Sequence, residues 1–321
     1  MASRRARVPL IDLFAGAGLL GASFKGRGFE PLLALDVDPH SVRSYNANVA
    51  RVAEVRSVEC VRDLSCRALL CSPPCQGFST LGRRDSKDER NALCLHVPIW
   101  ARATRPEVVV VENVPPFLES PHWRRMVRDL EHLGFESVSW VLDAADFGAP
   151  QRRQRAFTIA SRIGLPNEPQ KRRARPVDFV FERINRRDPM HAWPEPSTLA
   201  LRRFRRIPPG GDWRDVFASF PKECPPSWHS LGTQATDIWG RVKLGRPSNT
   251  LKSRFQNPSL GRYIHPEEHR VISLREGARI QGIPDRWNFY GHREAIVRQI
   301  GNGVPLQLGA AVADAVMQLF G

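Results

Sequence analysis

The sequence predicts an α/β fold in which a mostly parallel, doubly wound sheet is joined to a second, smaller domain. Short apolar runs alternate with helical patterns through the first half of the 321 residues, as in repeated βαβ units. Val108–Val111 is apolar on both faces, which a strand covered by helices on both sides requires. After about residue 165 the alternation ends and the chain becomes rich in proline and arginine, which indicates a change of domain.

The individual elements follow from these patterns. Strands are predicted at 8–14, 31–35, 68–71, 108–112, 137–142 and 156–161. Helices are predicted at 19–28, 39–49, 93–103, 123–133 and 305–320.

The charge indicates the kind of partner. The formal net charge is +15, and the segment from Lys171 to Arg206 contains eleven basic residues but only four acidic ones. A basic surface attracts polyanions, most often nucleic acid, although a solvated basic face is the alternative. No apolar run approaches the length that spans a bilayer, and the first apolar stretch runs into Asp12, so neither a membrane segment nor a signal peptide is expected.

The six cysteines do not predict a disulfide framework in a chain of this length. Four of them lie between Cys60 and Cys75, but no C-x-x-C pair occurs, so we expect no metal site. The expected compartment is reducing, and therefore the cytoplasm.

A glycine loop follows the first predicted strand. Gly16-Ala-Gly18-Leu-Leu-Gly21 matches G-x-G-x-x-G at a strand-to-helix turn, and Asp36 ends the next strand. Such glycines let the backbone approach a ligand, and the acid can accept hydrogen bonds from ribose hydroxyls. A nucleoside-type cofactor is predicted; this loop by itself allows NAD or S-adenosylmethionine.

One cysteine has an unusual setting. Two prolines precede Cys75 in Pro73-Pro74-Cys75-Gln76, which stiffens the chain where a thiolate nucleophile would be held. Glu112 ends an adjacent predicted strand, and the carboxyl ends of parallel strands line one crevice. The sequence therefore predicts a nucleophile and an acid in the same site.

Together these segments resemble the DNA cytosine-5 methyltransferases. The motifs occur in the family's order and span nearly the whole chain: Asp12-Leu-Phe14-Ala-Gly16-Ala-Gly18, Pro73-Pro74-Cys75-Gln76, Glu112-Asn113-Val114, Gln151-Arg-Arg153-Gln-Arg155, Arg246-Pro247-Ser-Asn-Thr250, Arg275-Glu-Gly-Ala-Arg279-Ile-Gln281-Gly282 and Arg298-Gln299-Ile-Gly301-Asn302-Gly303-Val304-Pro305. The resemblance implies a class I S-adenosylmethionine-dependent methyltransferase with a Rossmann-like sheet.

The resemblance also implies the chemistry. Cys75 attacks carbon 6 of a flipped-out cytosine, Glu112 acts at ring N3, and carbon 5 takes the methyl group from S-adenosylmethionine. Arg155 is expected at the base edge and Arg153 at nearby backbone or the active-site loop.

By the same resemblance, a set of residues is expected to line the cofactor site: Phe14, Gly16, Gly18, Asp36, Val37, Asp63, Leu64, Pro74, Leu93, Asn302 and Val304. Within it, Asp36 is assigned to ribose and Asp63 to the adenine amino group. The chain departs from the family at Leu19, where glycine is common, at Asp36, where glutamate is usual, and at Val37, where a larger residue is frequent.

The resemblance places a catalytic domain at 1–164 plus 300–321 and a target-recognition domain at 165–299. The loop 79–90 is expected to close over the flipped base, and double-stranded DNA is expected to contact Gln76, Ser79, Arg83, Arg84, Gln151 and Thr250. A monomer, kinship with prokaryotic or phage modification enzymes and a cognate restriction endonuclease are further expectations.

Three rival functions can be weighed. An RNA (tRNA) cytosine-5 methyltransferase would share the chemistry, and the sizeable recognition region favours DNA over it. A catalytically inactive DNA-binding protein on the same scaffold is disfavoured by the intact Cys75, Glu112 and Arg155. An NAD oxidoreductase would need a hydride-transfer site, and the sequence offers no obvious one.

Overall fold

The computed structural model describes residues 7–74, 89–231, 235 and 237–321. In this part of the chain a 7-stranded sheet has the order β3-β2-β1-β4-β5-β7-β6. The strands are β1 (Val8–Leu13), β2 (Phe29–Asp36), β3 (Ala53–Val55), β4 (Ala68–Cys71), β5 (Val108–Asn113), β6 (Glu136–Asp143) and β7 (Gln154–Ser161). The doubly wound α/β prediction is confirmed.

One strand of the sheet, β7, runs opposite to the other six. The pairs from β3 to β5 are all parallel, whereas β7 lies antiparallel between β5 and β6. The sequence patterns predicted six strands at nearly these bounds but missed β3, whose three residues are too few to show a period. Because β1, β2, β4 and β5 are parallel, their carboxyl ends meet at one edge of the sheet.

The helices of the first half have clear start and stop signals. They are α1 (Leu19–Lys25), α2 (Pro39–Asn48), α3 (His96–Thr104) and α4 (Pro121–Glu131). α2 begins at Pro39 because Asp38 caps it, accepting a hydrogen bond from the amide of His40. α1 ends three residues before the predicted bound, since Gly26 and Gly28 follow it and Gly28 is left-handed.

The second half contains shorter helices. They are α5 (Thr198–Arg206), α6 (Trp213–Ser219), α7 (Pro226–His229), α8 (Leu274–Ile280), α9 (Arg293–Asn302) and α10 (Leu306–Met317). In the described ranges no single helix is long and apolar enough to cross a membrane; α9 and the helical segment from Leu306 to Phe320 pass that test only as a pair, bent by 42°.

Apolar clusters cover both faces of the sheet. α1 and α10 bury Phe24, Leu308 and Val312 against one face. α3 and α4 bury Trp100 and Met126 against the other. These two layers explain the continuous apolar strands, and the last helix returns to the sheet as the resemblance implied.

The region after residue 165 has a core of its own and a shared one. Phe204, Trp213, Trp228 and Trp239 form its separate apolar cluster. A third cluster joins residues of α1 and α2 to residues from 177–300, so the two parts of the chain pack together. α9 runs through the domain boundary drawn at 299/300, and the domain bounds remain predictions.

Candidate active site

The carboxyl ends of the central strands carry most of the described site residues. Phe14 follows β1, Asp36 ends β2, Ser72-Pro73-Pro74 follows β4, and Glu112 lies near the end of β5. Five predicted site residues, namely Cys75, Gln76, Ser79, Arg83 and Arg84, lie outside the described residues, as does the loop 79–88.

A buried ion pair stands at the centre of this edge. Arg155 Nε lies 2.9 Å from Glu112 Oε1, and the two side chains are 14% and 10% exposed. In the antiparallel β5–β7 register Glu112 faces Phe157, so Arg155 is its diagonal neighbour on the same face. The pairing of two strands distant in sequence therefore brings the predicted acid and arginine together.

The surroundings of Glu112 act on it in opposite directions. Burial raises the pKa of this carboxyl above its usual value, while Arg155, Arg153 and a hydrogen bond with Ser72 oppose the rise. Burial therefore favours the protonated carboxyl, and the two arginines favour the carboxylate. Ser72 precedes the two prolines, and sequence reasoning did not select it.

Asn113 is a second residue that the sequence patterns did not assign. Its amide Nδ2 donates to the carbonyl of Pro73 at 3.1 Å, and its Oδ1 accepts from the amide of Val114 at 2.8 Å. The hydrogen bond ties the end of β5 to the segment immediately before Cys75. The only sequence signal was its place in the Glu-Asn-Val motif.

The glycine loop is built as a cofactor cradle requires. Gly16 and Gly18 have φ of +52° and +88°, and a Cβ on Gly18 would lie 2.6 Å from Val49. Asp36 accepts the amide of Gly16 at 2.8 Å on Oδ2 and the amide of Asp38 at 2.9 Å on Oδ1. Each carboxylate oxygen retains a lone pair, so holding the loop leaves Asp36 able to accept from ribose.

The other residues predicted to bind the cofactor differ in exposure and in contacts. Val37 is 69% exposed beside Asp36, so a ring could pack against its side chain. Phe14 and Leu64 pack on the same apolar cluster. Asp63 has a side chain 85% exposed, 3.7 Å from Arg105, and so has no fixed partner in the site. Pro74 and Leu93 are half-buried, Asn302 is exposed and Val304 is buried.

Arg153 joins the sheet to later segments. This buried arginine donates from Nη1 to the carbonyl of Leu251 at 2.6 Å and from Nη2 to that of Gly301 at 2.8 Å. These hydrogen bonds join β7 to the segments around Leu251 and Gly301, and the role of Arg153 in the active site stays a prediction.

The side chain of Gln151 also makes its hydrogen bonds within the protein. Its Nε2 donates to Gln281 Oε1 at 2.6 Å and to the carbonyl of Ile280 at 3.1 Å, while its Oε1 accepts from Leu251. The side chain is fully buried, so the structure does not bring it to a DNA-facing surface. Thr250 is half-buried and donates to the carbonyl of Arg152 at 2.8 Å.

Comparison with known proteins gives the family. Residues 8–318 match the C-5 cytosine-specific DNA methylase family. The chain belongs to this family. It is a DNA cytosine-5 methyltransferase that uses S-adenosylmethionine as methyl donor, and the RNA alternative is not favoured.

Curated relatives are similar over nearly their whole length. The chain is 28% identical to the Type II methylase M.HgiDII of Herpetosiphon aurantiacus, over 96% of this chain and 94% of the relative. It is 29% identical to the Type II methyltransferase M.XorII of Xanthomonas oryzae pv. oryzae, over 96% and 84%.

Solved structures show the same fold. A putative DNA modification methyltransferase encoded within an E. coli prophage superposes with a TM-score of 0.70 at 20% identity, covering 98% of this chain and 99% of that one. The Entamoeba histolytica methyltransferase EhMeth gives 0.72 at 16% identity, with the same coverage. The class I methyltransferase fold implied by the resemblance is confirmed.

The residues present fit the methyl donor. The left-handed glycine loop lets the backbone approach the ligand, Asp36 has lone pairs for ribose hydroxyls, and the exposed side chain of Val37 offers an apolar contact for adenine. Among the described residues no group of three or more His, Cys, Asp or Glu could hold a metal ion.

Proposed function

We propose that Cys75, Glu112 and Arg155 divide the methyl-transfer reaction among themselves, with Arg153 holding the site together. The observation that supports this most is the buried Glu112–Arg155 pair at the end of β5. Asn113 adds support, because it fastens the segment that leads into Cys75 to the same strand.

In this proposal the cytosine is activated from two sides. The Cys75 thiolate forms a bond to carbon 6, and Glu112 gives a proton to N3, which neutralises the charge that develops on the ring. Bound S-adenosylmethionine supplies an electrophilic methyl group, which carbon 5 takes. Loss of the carbon 5 proton to a base then breaks the bond to Cys75 and restores the aromatic ring.

Arg155 has two tasks in the proposal. Its Nε holds the Glu112 carboxyl in one orientation, its Nη1 donates to the carbonyl of Gln154 at 2.8 Å, and its Nη2 is the donor that we assign to the base. The guanidinium also favours the carboxylate and so opposes the rise that burial produces in the pKa of Glu112.

A covalent trap tests the nucleophile. A duplex with 5-fluorocytosine has no carbon 5 proton to lose, so we expect a stable, S-adenosylmethionine-dependent adduct with the wild type and none with Cys75→Ala. An RNA of the same sequence serves as the matched acceptor and should not be trapped. An adduct that persists in Cys75→Ala would refute the assignment.

The acid is tested separately. We expect Glu112→Gln to lower kcat by roughly 100-fold or more while cofactor affinity is retained, because a general acid contributes in the transition state. Methylation sequencing of DNA from a host that expresses each variant gives the recognition motif at the same time. Equal methylation by Glu112→Gln and wild type would remove Glu112 from the mechanism.

On the DNA side we propose that exposed arginines of the recognition region contact phosphates. Arg186, Arg187, Arg202 and Arg205 are exposed, and phosphate contacts position a duplex while base edges specify its sequence. Thr250 stays a proposed contact, together with Gln76, Ser79, Arg83 and Arg84.

The cellular role rests on the relatives' names. Because similar proteins are named Type II methyltransferases, we propose that this enzyme modifies double-stranded DNA as a monomer in the cytoplasm or nucleoid, alongside a cognate endonuclease. DNA from an expressing host should resist one endonuclease that cuts control DNA. Unchanged digestion by every endonuclease that reads the methylated motif would argue against this role.

A further inference from the structure

A carboxyl group lies buried beneath the cofactor loop. Asp12 stands on β1, two residues before Phe14, and is 2% exposed. A Cβ placed on Gly21 would fall against Oδ2 of Asp12 and 3.0 Å from the hydroxyl of Tyr45. Asp12 and Tyr45, which is fully buried on α2, therefore meet under the first turn of α1.

The groups that face Asp12 are all acids. Asp36 on β2, Tyr45 on α2 and Cys71 on β4 each interact with it electrostatically. Burial raises the pKa of Asp12 to about 8; the Tyr45 hydroxyl lowers it and Asp36 raises it. In the described part of the chain Asp12 Oδ2 and the Tyr45 hydroxyl find no hydrogen-bond partner of normal geometry. This setting favours a protonated, neutral carboxyl.

The methyl donor and its product differ by one charge. The sulfonium of S-adenosylmethionine is a cation, whereas the thioether of the product is neutral. A nearby cation favours the ionised form of a carboxyl, and the effect reaches further in a buried, low-dielectric site than in water. The loop that would hold the cofactor begins two residues after Asp12, and Asp36, which fastens that loop at Gly16, already acts on Asp12.

We propose that the Asp12–Tyr45 pair responds to the charge of the bound cofactor, so that Asp12 loses a proton when the methyl donor binds and regains one when the neutral product forms. In the first step the carboxyl O–H bond breaks and the proton leaves to solvent. In the second the carboxylate takes a proton from solvent, because the cation that stabilised it is gone. Asp12 is thus a positioning residue that favours the donor over the product.

Proton release on binding is the direct test, and it needs no DNA, so its failure is separate from any failure of the DNA-side proposals. Isothermal titration at pH 8 in two buffers of different ionisation enthalpy counts protons released per cofactor bound. A carboxyl with a pKa of about 8 is half protonated there, so wild type should release up to roughly half a proton with S-adenosylmethionine. S-adenosylhomocysteine should release none from Asp12.

Asp12→Asn is the decisive variant, because an amide keeps the shape of the neutral carboxyl but does not ionise. The amino group of the ligand titrates with both proteins, so the difference between wild type and variant isolates Asp12. We expect that difference to vanish for the product. If donor binding lowers the Asp12 pKa by one unit, wild type should bind the donor about tenfold more tightly than Asp12→Asn does above pH 8. Equal proton release by wild type and Asp12→Asn would overturn the proposal.

Two further variants test whether a different group supplies the proton. Tyr45→Phe keeps the ring that packs beside Gly18 but removes the hydroxyl that favours the ionised carboxyl, so the midpoint of proton release should move to higher pH. An unmoved midpoint would contradict the proposal even if Asp12→Asn does not fold. Cys75→Ser should release protons as wild type does; loss of release there would assign the proton to the thiol instead.

Discussion

The sheet and the recognition region satisfy their buried polar groups in different ways. In the sheet, backbone groups pair along seven strands and the side chains between the layers are apolar. In the recognition region, predicted at 165–299, the described structure has short helices, and arginine side chains donate to many backbone carbonyls. Arg241 is the fullest example: it donates to the carbonyls of Phe204, Ile207, His265 and Glu268 at 2.6–2.7 Å.

Several other arginines of the recognition region are buried for the same purpose. Arg262 donates to the carbonyls of Gly210 and Gly211 and pairs with Asp212, while Arg203 donates to the carbonyl of Glu223. Part of the net charge of +15 is therefore structural and never meets DNA. A basic composition indicates a polyanionic partner only after such buried guanidinium groups are set aside.

Buried acids follow the same contrast. Glu276 in the recognition region is held by Arg270 through two hydrogen bonds of 2.8 Å. Asp12 in the sheet faces other acids and is favoured as a neutral carboxyl. Glu276 is thus stabilised in the interior by a guanidinium partner, as Glu112 is by Arg155, whereas Asp12 is stabilised by the suppression of its charge.

The largest effect should come from Arg241. Replacing it with methionine removes its hydrogen bonds to four carbonyls, of which that of Phe204 keeps the amide of Ile207 as a donor. We expect a loss of about 3–5 kcal/mol in the free energy of unfolding. Urea denaturation followed by tryptophan fluorescence measures this, because Trp213, Trp228 and Trp239 lie in the same region. Arg205→Gln is the matched control on an exposed position and should change stability by less than about 0.5 kcal/mol. Equal losses in both would show that burial of the arginine is not what matters.

A smaller loss is expected where the two regions join. Arg153→Lys keeps the charge but loses the two guanidinium nitrogens that donate separately to the carbonyls of Leu251 and Gly301. We expect about 2 kcal/mol less stability and weaker cofactor binding, because Gly301 leads into Asn302 and Val304, which are predicted to line the cofactor site. Denaturation and cofactor titration of the same preparation measure both. Unchanged cofactor affinity would confine Arg153 to a structural role.

The sheet can be made more stable at high pH through Asp12. Its folded pKa of about 8 lies above the unfolded value, so its contribution to stability is present at low pH and is lost as pH rises between about 4 and 8. Asp12→Asn removes this dependence, and we expect the variant to gain about 2 kcal/mol or more over wild type at pH 8 and nothing at pH 4. Thermal unfolding across this range checks the sign; a gain that is constant with pH would contradict it.

The smallest effect on stability should accompany a change in DNA binding. We expect Arg202→Gln with Arg205→Gln to leave the unfolding midpoint unchanged and to reduce the slope of log affinity against log salt by about 1–2, roughly one unit per lost phosphate contact. Arg102→Gln, exposed on α3, is the matched control and should leave the slope unchanged. If Arg102→Gln changed the salt slope equally, the change would reflect the overall charge of the protein and not phosphate contacts made by Arg202 and Arg205.

The parallel core of the sheet could be predicted from sequence because periodicity carries that information. β4 was predicted at its observed bounds, and Glu112 was expected at the site because a buried apolar strand ends there. The recognition region could not be predicted, since hydrogen bonds such as those of Arg241 join residues up to 37 apart and leave no period. The Gln151 expectation shows the same limit: a motif gives the residue type but not the direction in which its side chain points.

The pairing of β5 with β7 has a consequence for how this enzyme tolerates insertions and deletions. Glu112 and Arg155 meet because β5 and β7 keep one register, and β6 supports that register because it pairs with β7 along residues 136–143. Lengthening the turn after α4 should leave the ion pair intact. Deleting one residue just after Arg155 would shift that arginine by one place and turn it to the opposite face of the sheet. Deleting that one residue of β7 would then impair the site as much as replacing Arg155 itself.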